Sequence, residues 1–326
     1  MNIAILGAGA WGTALAVSLA GRHRVALWAR DAALASAIGS GRRNQRYLPE
    51  VPVPDSVTVT GELSSALAGS ELALIATPTS GLREVLERVR EPDPPVVWAC
   101  KGLEQASGKL PHQVVAEVLG KRAACGALSG PSFALEVAQG RPTALTLAAR
   151  DAQFAKRIAK ELHHPTLRVY FSTDLAGVEI SGAVKNVMAI AAGICDGLGL
   201  GLNARAALIT RGLAELTRLG LALGGRTETF MGLAGAGDLI LTCTGDLSRN
   251  RGVGLGLARG EPLDAVLERL GHVAEGVYSA RAIEALAAEK RVEMPITRAV
   301  CSVLFRGTAP REAVQELLAR DPREEA

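Results

Sequence analysis

Aromatic residues make up only 3% of this 326-residue chain. Its core must therefore be closed by Ala, Leu, Val and Ile. A nucleic-acid surface built from basic residues interleaved with aromatics is excluded, and a formal charge of +3 adds no pull toward polyanions. The five cysteines (Cys100, Cys125, Cys195, Cys243, Cys301) are scattered, with no CxxC pair. That spacing argues against a disulfide framework or a zinc site and suits a reducing cytoplasm. The five histidines are equally dispersed, so no metal is expected. No stretch reaches the roughly 18 uninterrupted apolar residues of a membrane helix, and no membrane insertion is expected. The apolar start, "MNIAILGAGAWGTALAVSLA", lacks the basic flank of a signal peptide.

What is present alternates. "NIAILG", "RVALWAR", "VTVT", "LALIATP", "PVVWACKG", "ACGALSGPS", "TALTLAAR" and "LRVYFS" have the apolar or β-branched character of strands. Helical patterns such as "WGTALAVSLAG", "SGLREVLERVR" and "AQFAKRIAKELH" lie between many of them. Repeated βα units predict a parallel sheet wrapped by helices. Beyond about Thr173 the β-rich runs stop, and "AALITRGLAELTRLGLAL", "DAVLERL", "SARAIEALAAEK", "ITRAVCSVLF" and "REAVQELLA" all have helical spacing. The boundary is expected between Phe171 and Ile180, giving domains 1–175 and 176–326.

Gly7, Gly9 and Gly12 form GxGxxG between the first strand and the first helix, the context this dinucleotide fingerprint requires. Gly7 serves a tight turn, Gly9 lets backbone approach a pyrophosphate, and Gly12 lets helix pack on strand. The alternative is a glycine-rich turn without a ligand. The fold class expected is α/β: a Rossmann-like, mostly parallel sheet with helices on both faces, followed by an all-helical domain. At the end of the second strand stands "LWARD". Arg30 is read as the contact for an NADP 2′-phosphate, while Asp31 keeps NAD open, since an acidic residue there binds the ribose 2′-OH. Lys101, in "KGLE" at another strand end, can meet a phosphate or be a solvated loop lysine.

"SGAVKNVMAIAAG" reads as a buried helix with Lys185 and Asn186 in its middle. Neither has a charged partner within four residues, and an unpaired buried ammonium is costly. Either Lys185 reaches a substrate oxygen in a cleft, or it snorkels to water. Methionine would fill its volume, so removing the charge is expected to cost little stability. Asparagine is rare, at five residues, yet Asn186, Asn203 and Asn250 all fall in the helical half, at or next to a Lys or Arg or one residue away. In "GLAGAGDLILTCTGDLSRNRGVG", Asp238 separates a glycine-rich turn from an apolar run. Ser248, Arg249 and Asn250 then outline an anion site of cap, bidentate fork and amide. The plainer reading is a capped helix with exposed arginines.

These blocks, together with "SGPSFALEVAQGRPTA", "VAEGV" and "VEMPI", resemble the bacterial NAD(P)-dependent glycerol-3-phosphate dehydrogenases from Met1 to about Leu318. The resemblance implies that Lys185 is catalytic and that Lys101, Lys185, Asp238, Ser248, Arg249 and Asn250 bind substrate. It implies cofactor contacts from Gly7, Gly9, Ala10, Trp11, Gly12, Arg30, Lys101, Gly130, Ser132, Ala134, Arg249, Val273 and Glu275. Trp11, Ser132 and Ala236 depart from the residues more usual in the family, without removing a polar group that the chemistry needs. The activity implied is reversible hydride transfer between NADPH or NADH and dihydroxyacetone phosphate, giving sn-glycerol 3-phosphate for glycerophospholipid synthesis in the cytoplasm. A homodimer is left open. A hydroxy-acid dehydrogenase and a non-catalytic dinucleotide sensor are the two rivals.

Overall fold

The computed structural model describes residues 1–89, 94–271 and 274–321. The chain divides into two compact units, Met1–Glu179 and Ile180–Ala326, and the division falls inside one long helix, Leu175–Gly197. Sequence alone puts the boundary four residues earlier, where the β pattern ends.

Among its described residues the first unit holds ten strands: β1 (Asn2–Leu6), β2 (Arg24–Trp28), β3 (Arg43–Asn44), β4 (Leu48–Pro52), β5 (Val57–Thr60), β6 (Leu72–Ile75), β7 (Val96–Trp98), β8 (Cys125–Ser129), β9 (Thr143–Ala148) and β10 (Leu167–Ser172). Eight form one sheet in the order β10-β9-β8-β7-β6-β1-β2-β5. β5, β2, β1, β6, β7 and β8 run parallel. Between β1 and β6 the direction of winding reverses, and in such a sheet the crevice beyond the strand ends at this reversal takes the ligand. β1 and β6 are covered on both faces, with Ile3, Ala4, Ile5 and Leu6 buried in succession and Leu72, Ala73, Leu74 and Ile75 likewise, which is why they read as continuous apolar runs. Trp28 and Trp98 are among the largest fully buried side chains.

Two features depart from the expected alternation. β9 pairs antiparallel with β8, and β10 follows β9 in parallel, so the last two strands run against the others. The helix between β8 and β9, Ala134–Ala138, has five residues. At roughly 1.5 Å per residue it cannot carry the chain back along a strand rising about 3.3 Å per residue. The β3–β4 hairpin is the second departure. It lies outside the strand patterns of the sequence, because β3 has only two residues, both polar, and β4 carries two prolines.

The second unit is helical throughout its described residues, with helices including Gly201–Ala222, Asp238–Thr244, Arg249–Ala258, Glu275–Glu289 and Pro295–Phe305. Leu175–Gly197 is long and apolar enough for a membrane span by length and composition, at a mean hydropathy of 1.4. Its most apolar stretch is buried throughout, as in the core helix of a folded domain. It meets Arg249–Ala258 backbone to backbone. A Cβ on Gly193 would lie 2.0 Å from the Arg251 carbonyl oxygen, and one on Gly254 would lie 2.1 Å from that of Ile190. Only glycine permits this approach.

Glu215 is buried and accepts hydrogen bonds from the Ile296 N–H (2.6 Å), the Thr297 N–H (3.1 Å) and the Thr297 hydroxyl (3.1 Å). It thereby caps Pro295–Phe305 from outside the helix. Burial pushes its carboxyl up to about 7, against the pull of those three donors. The folded state then holds a proton that the unfolded chain releases near pH 4.5, so stability falls as pH rises from 4.5 to 7 and levels off above. The full effect is on the order of 3 kcal/mol. Urea unfolding at several pH values should show this slope in the wild type and a shallower one in Glu215→Gln. Parallel slopes would show that Glu215 titrates normally.

Candidate functional site

The glycine loop follows β1 directly. Gly7 has φ +122°, and a Cβ there would press within 2.9 Å of the Ala76 carbonyl carbon. A Cβ on Gly12 would lie 1.8 Å from the Gly7 oxygen. Those two glycines are required by the protein itself. Gly9 differs: its backbone is extended, and nothing lies within 4 Å of where its Cβ would be. Protein packing does not explain a glycine there, whereas close approach of a pyrophosphate does. The helix Ala10–Leu19 begins at Ala10 with no side-chain cap and no acidic residue in its first turn. Its opening N–H groups and partial positive charge suit an anion. These residues fit a dinucleotide.

Trp11, in the first turn, is half-buried against the same cluster as Ala134, which opens the helix Ala134–Ala138. Gly130 directly follows β8 at φ +135°, a conformation that favours glycine. Its carbonyl oxygen accepts from Lys101 Nζ at 3.2 Å and from the Ser132 hydroxyl at 3.0 Å. Lys101 is half-buried beyond the end of β7, so three of the expected residues converge at the ligand edge of the sheet.

Arg30 lies two residues past the end of β2 and is mostly exposed, paired with Glu84 at 3.3 Å. Asp31 serves the fold. One of its carboxylate oxygens accepts from the Ala33 and Leu34 N–H groups, capping the helix Ala32–Gly41. Arg46 approaches its other oxygen at 3.8 Å.

In the second unit Lys185 does not snorkel. It is 6% exposed, and its Nζ donates to Asp238 Oδ1 and, at 2.9 Å, to the Thr242 hydroxyl. The partner that the sequence does not reveal is 53 residues away. A π-turn over Leu233–Gly237 delivers Asp238 as the first residue of Asp238–Thr244, with Thr242 one turn later on the same face. The Thr242 hydroxyl donates to the Asp238 carbonyl at 2.6 Å, which fixes its lone pairs toward the ammonium. Sequence reasoning misses Thr242, although the i, i+4 spacing in "DLILT" is visible once Asp238 is singled out.

Ser248 caps Arg249–Ala258, its Oγ accepting from the Arg251 N–H at 3.3 Å. The three residues of "SRN" then part company. Arg249 is exposed. Asn250 is buried, donating to Asn186 Oδ1 at 3.0 Å and accepting from the Gly276 N–H at 3.0 Å. Arg251 is spent on Asp196 (2.8 Å) and Asp246 (3.0 Å). Asn186 and Asn250 thus join two helices that glycine lets touch, while Asn203 is an exposed helix residue. Glu275 opens the helix Glu275–Glu289, one residue before the Gly276 N–H that binds Asn250. Val273 lies outside the described residues.

Two family signatures cover these sites. The NAD-dependent glycerol-3-phosphate dehydrogenase N-terminus matches residues 2–155, and the C-terminus of the same family matches residues 174–315. The chain belongs to the NAD-dependent glycerol-3-phosphate dehydrogenase family. It is 59% identical, over all of its length and 99% of the relative's, to glycerol-3-phosphate dehydrogenase [NAD(P)+] of Dechloromonas aromatica. It is 57% identical to the Aromatoleum aromaticum protein of the same name, over the whole of both chains. The crystal structure of glycerol-3-phosphate dehydrogenase from Coxiella burnetii superposes with a TM-score of 0.94 at 44% identity, covering 98% of each chain. Membership in this dehydrogenase family makes the chain an NAD(P)-dependent oxidoreductase with a Rossmann-like cofactor domain.

Proposed function

We propose that this chain reduces dihydroxyacetone phosphate reversibly to sn-glycerol 3-phosphate, with Lys185 as the acid that protonates the developing alkoxide. The observation that carries this is the buried ammonium held by Asp238 and Thr242 in a chain of this family. A bound nicotinamide cofactor supplies the hydride. As the ketone oxygen gains charge, Lys185 stabilises it and gives it a proton; Asp238 and Thr242 hold Nζ in one place throughout. Arg249 is the cation for the substrate phosphate, and Ser248 sets its position by capping the helix that it opens. Asn250 acts from behind, tying that helix to Asn186 and Gly276. Its amide has a second donor hydrogen that can serve a ligand. Lys101 neutralises a phosphate at the cofactor-binding edge, beside Gly130 and Ser132. Ala10, Trp11, Ala134, Val273 and Glu275 complete the proposed cofactor contacts, with Arg249 as a further one. Cytoplasmic supply of glycerophospholipid synthesis belongs to the same reading.

Loss of reduced-cofactor absorbance on mixing with NADPH or NADH and dihydroxyacetone phosphate tests this. A hydroxy-acid dehydrogenase would turn over 2-keto acids instead, and a sensor would bind cofactor without turnover.

The capping role of Asp31 favours Arg30 as the reader of the adenosine ribose. Arg30→Ala should weaken NADPH relative to NADH by roughly 10- to 100-fold, as expected for loss of a charge-assisted hydrogen bond. Stability should barely change, since the exposed pair with Glu84 contributes little. Titration of both cofactors into both proteins measures the ratio. An unchanged ratio would return Arg30 to the status of a surface residue.

A further inference from the structure

Asn44 is fully buried on the β3–β4 hairpin, a segment that the cofactor fingerprint does not include. Its Nδ2 donates to the Ala8 carbonyl at 2.9 Å and to the Thr13 hydroxyl at 2.8 Å. Its Oδ1 accepts from the Tyr47 N–H at 3.2 Å, which orients the amide and holds the turn of the hairpin. Ala8 is the residue between the first two glycines, and Thr13 lies in the first turn and a half of the helix that they open. The two donor hydrogens of a single side chain thus bridge the loop and the helix start.

We infer that Asn44 is a positioning residue for the cofactor pyrophosphate. It acts through the Ala8–Gly9 peptide and the first turn of Ala10–Leu19. The C=O and N–H of a trans peptide point in opposite directions. With the Ala8 oxygen pinned toward Asn44, the Gly9 N–H is turned away from it. Gly9 itself has open space at its Cβ position. The Thr13 N–H bonds the Gly9 carbonyl at 3.0 Å, so the same side chain that holds Thr13 also fixes where the helix begins. Glycine loops are permissive, and flexibility at Gly7 and Gly9 would let the anion-binding N–H groups scatter. A buried, doubly donating amide removes that freedom before the ligand arrives, which lowers the ordering cost of binding. No acidic or basic group takes part, so the effect is indifferent to what sits at the ribose 2′ position.

This inference rests on the reading of the glycine loop as the cofactor site. The test replaces Asn44 with leucine, close in volume and without donors, in the full chain. Dissociation constants for NADPH and NADH are measured well below the melting temperature, with kcat and KM for dihydroxyacetone phosphate at saturating cofactor. Both cofactors should bind about 10- to 100-fold more weakly, by the same factor, because they share one pyrophosphate. Both kcat and the ketone KM should stay within about threefold, since Lys185 and Arg249 are untouched. A lower melting temperature with unchanged affinities would overturn the inference, leaving Asn44 a structural residue. A changed NADPH-to-NADH ratio would also overturn it, since Asn44 would then act through the adenosine end. If Asn44→Leu does not fold, Thr13→Val removes one of its two acceptors. It should weaken both cofactors equally and by a smaller factor; no loss would be equally damaging. Failure of the wild type to bind either cofactor would instead refute the reading of the loop itself.

Discussion

Lys185→Met should lower kcat by about 10²- to 10⁴-fold, the range for removing a general acid that also stabilises charge. It should also destabilise the protein by roughly 3–5 kcal/mol. The second effect reverses the expectation from sequence, where methionine looks like a harmless volume match. Asp238 is the reason. It is 1% exposed and forms an ion pair with Lys185. With methionine at 185, a buried carboxylate loses its counter-charge, and the Thr242 hydroxyl, at a long 3.4 Å from Oδ1, does not replace it. Losing one member of a buried pair costs far more than losing both.

The double variant Lys185→Met/Asp238→Leu separates the two effects. It should recover most of the stability and none of the activity. Chemical denaturation and steady-state assays on the two variants and the wild type suffice. If the double variant regains turnover along with stability, loss of folded enzyme, and not of an acid, explains the single variant. If Lys185→Met keeps a near wild-type kcat, the mechanism fails outright. Thr242→Val offers a milder contrast. It removes a 2.9 Å contact to Nζ without leaving a charge, so kcat should fall while stability changes by about 1 kcal/mol.

The legible parts of this protein are those written in local pattern. β1 and its glycine turn can be read because burial on both faces demands an apolar run and a tight turn demands glycine. The helical half can be read because its apolar residues recur at helical spacing. Long-range pairing is not legible. The reversal of β9 depends on the path of the preceding connection and not on the residues of β9. The β3–β4 hairpin is hidden by the shortness of β3 and the two prolines of β4, yet it carries Asn44, whose bonds span the hairpin and the loop. Lys185 is conspicuous because no neighbour explains it, and nothing in the order of residues says that the answer lies at Asp238. In "SRNR" the composition suggests one shared role. The structure divides it into a cap at Ser248, an exposed cation at Arg249, an interhelix amide at Asn250 and a buried ion pair at Arg251.

That division sharpens the test of phosphate binding. Arg251 is engaged by Asp196 and Asp246, and Asn250 by Asn186 and Gly276, so Arg249 is the arginine of this segment that remains exposed. Arg249→Ala should raise KM for dihydroxyacetone phosphate and lower kcat, with kcat/KM falling about 10²-fold or more, as for loss of a charged hydrogen bond that also orients the reacting end. Arg249→Lys should remain impaired, because an ammonium cannot reproduce the planar two-donor fork that matches phosphate. Neither change should alter stability by more than about 0.5 kcal/mol, as befits an exposed side chain. Plain dihydroxyacetone is the decisive control. The wild type should use it poorly, and Arg249→Ala should reduce that weak activity far less than it reduces activity on the phosphate ester. Cofactor affinity measured in the same variant separates a phosphate contact from a cofactor contact. Equal proportional losses on both ketones at saturating cofactor would mean that Arg249 does not read the phosphate, and the second donor hydrogen of Asn250, with Lys101, would be the next groups to test.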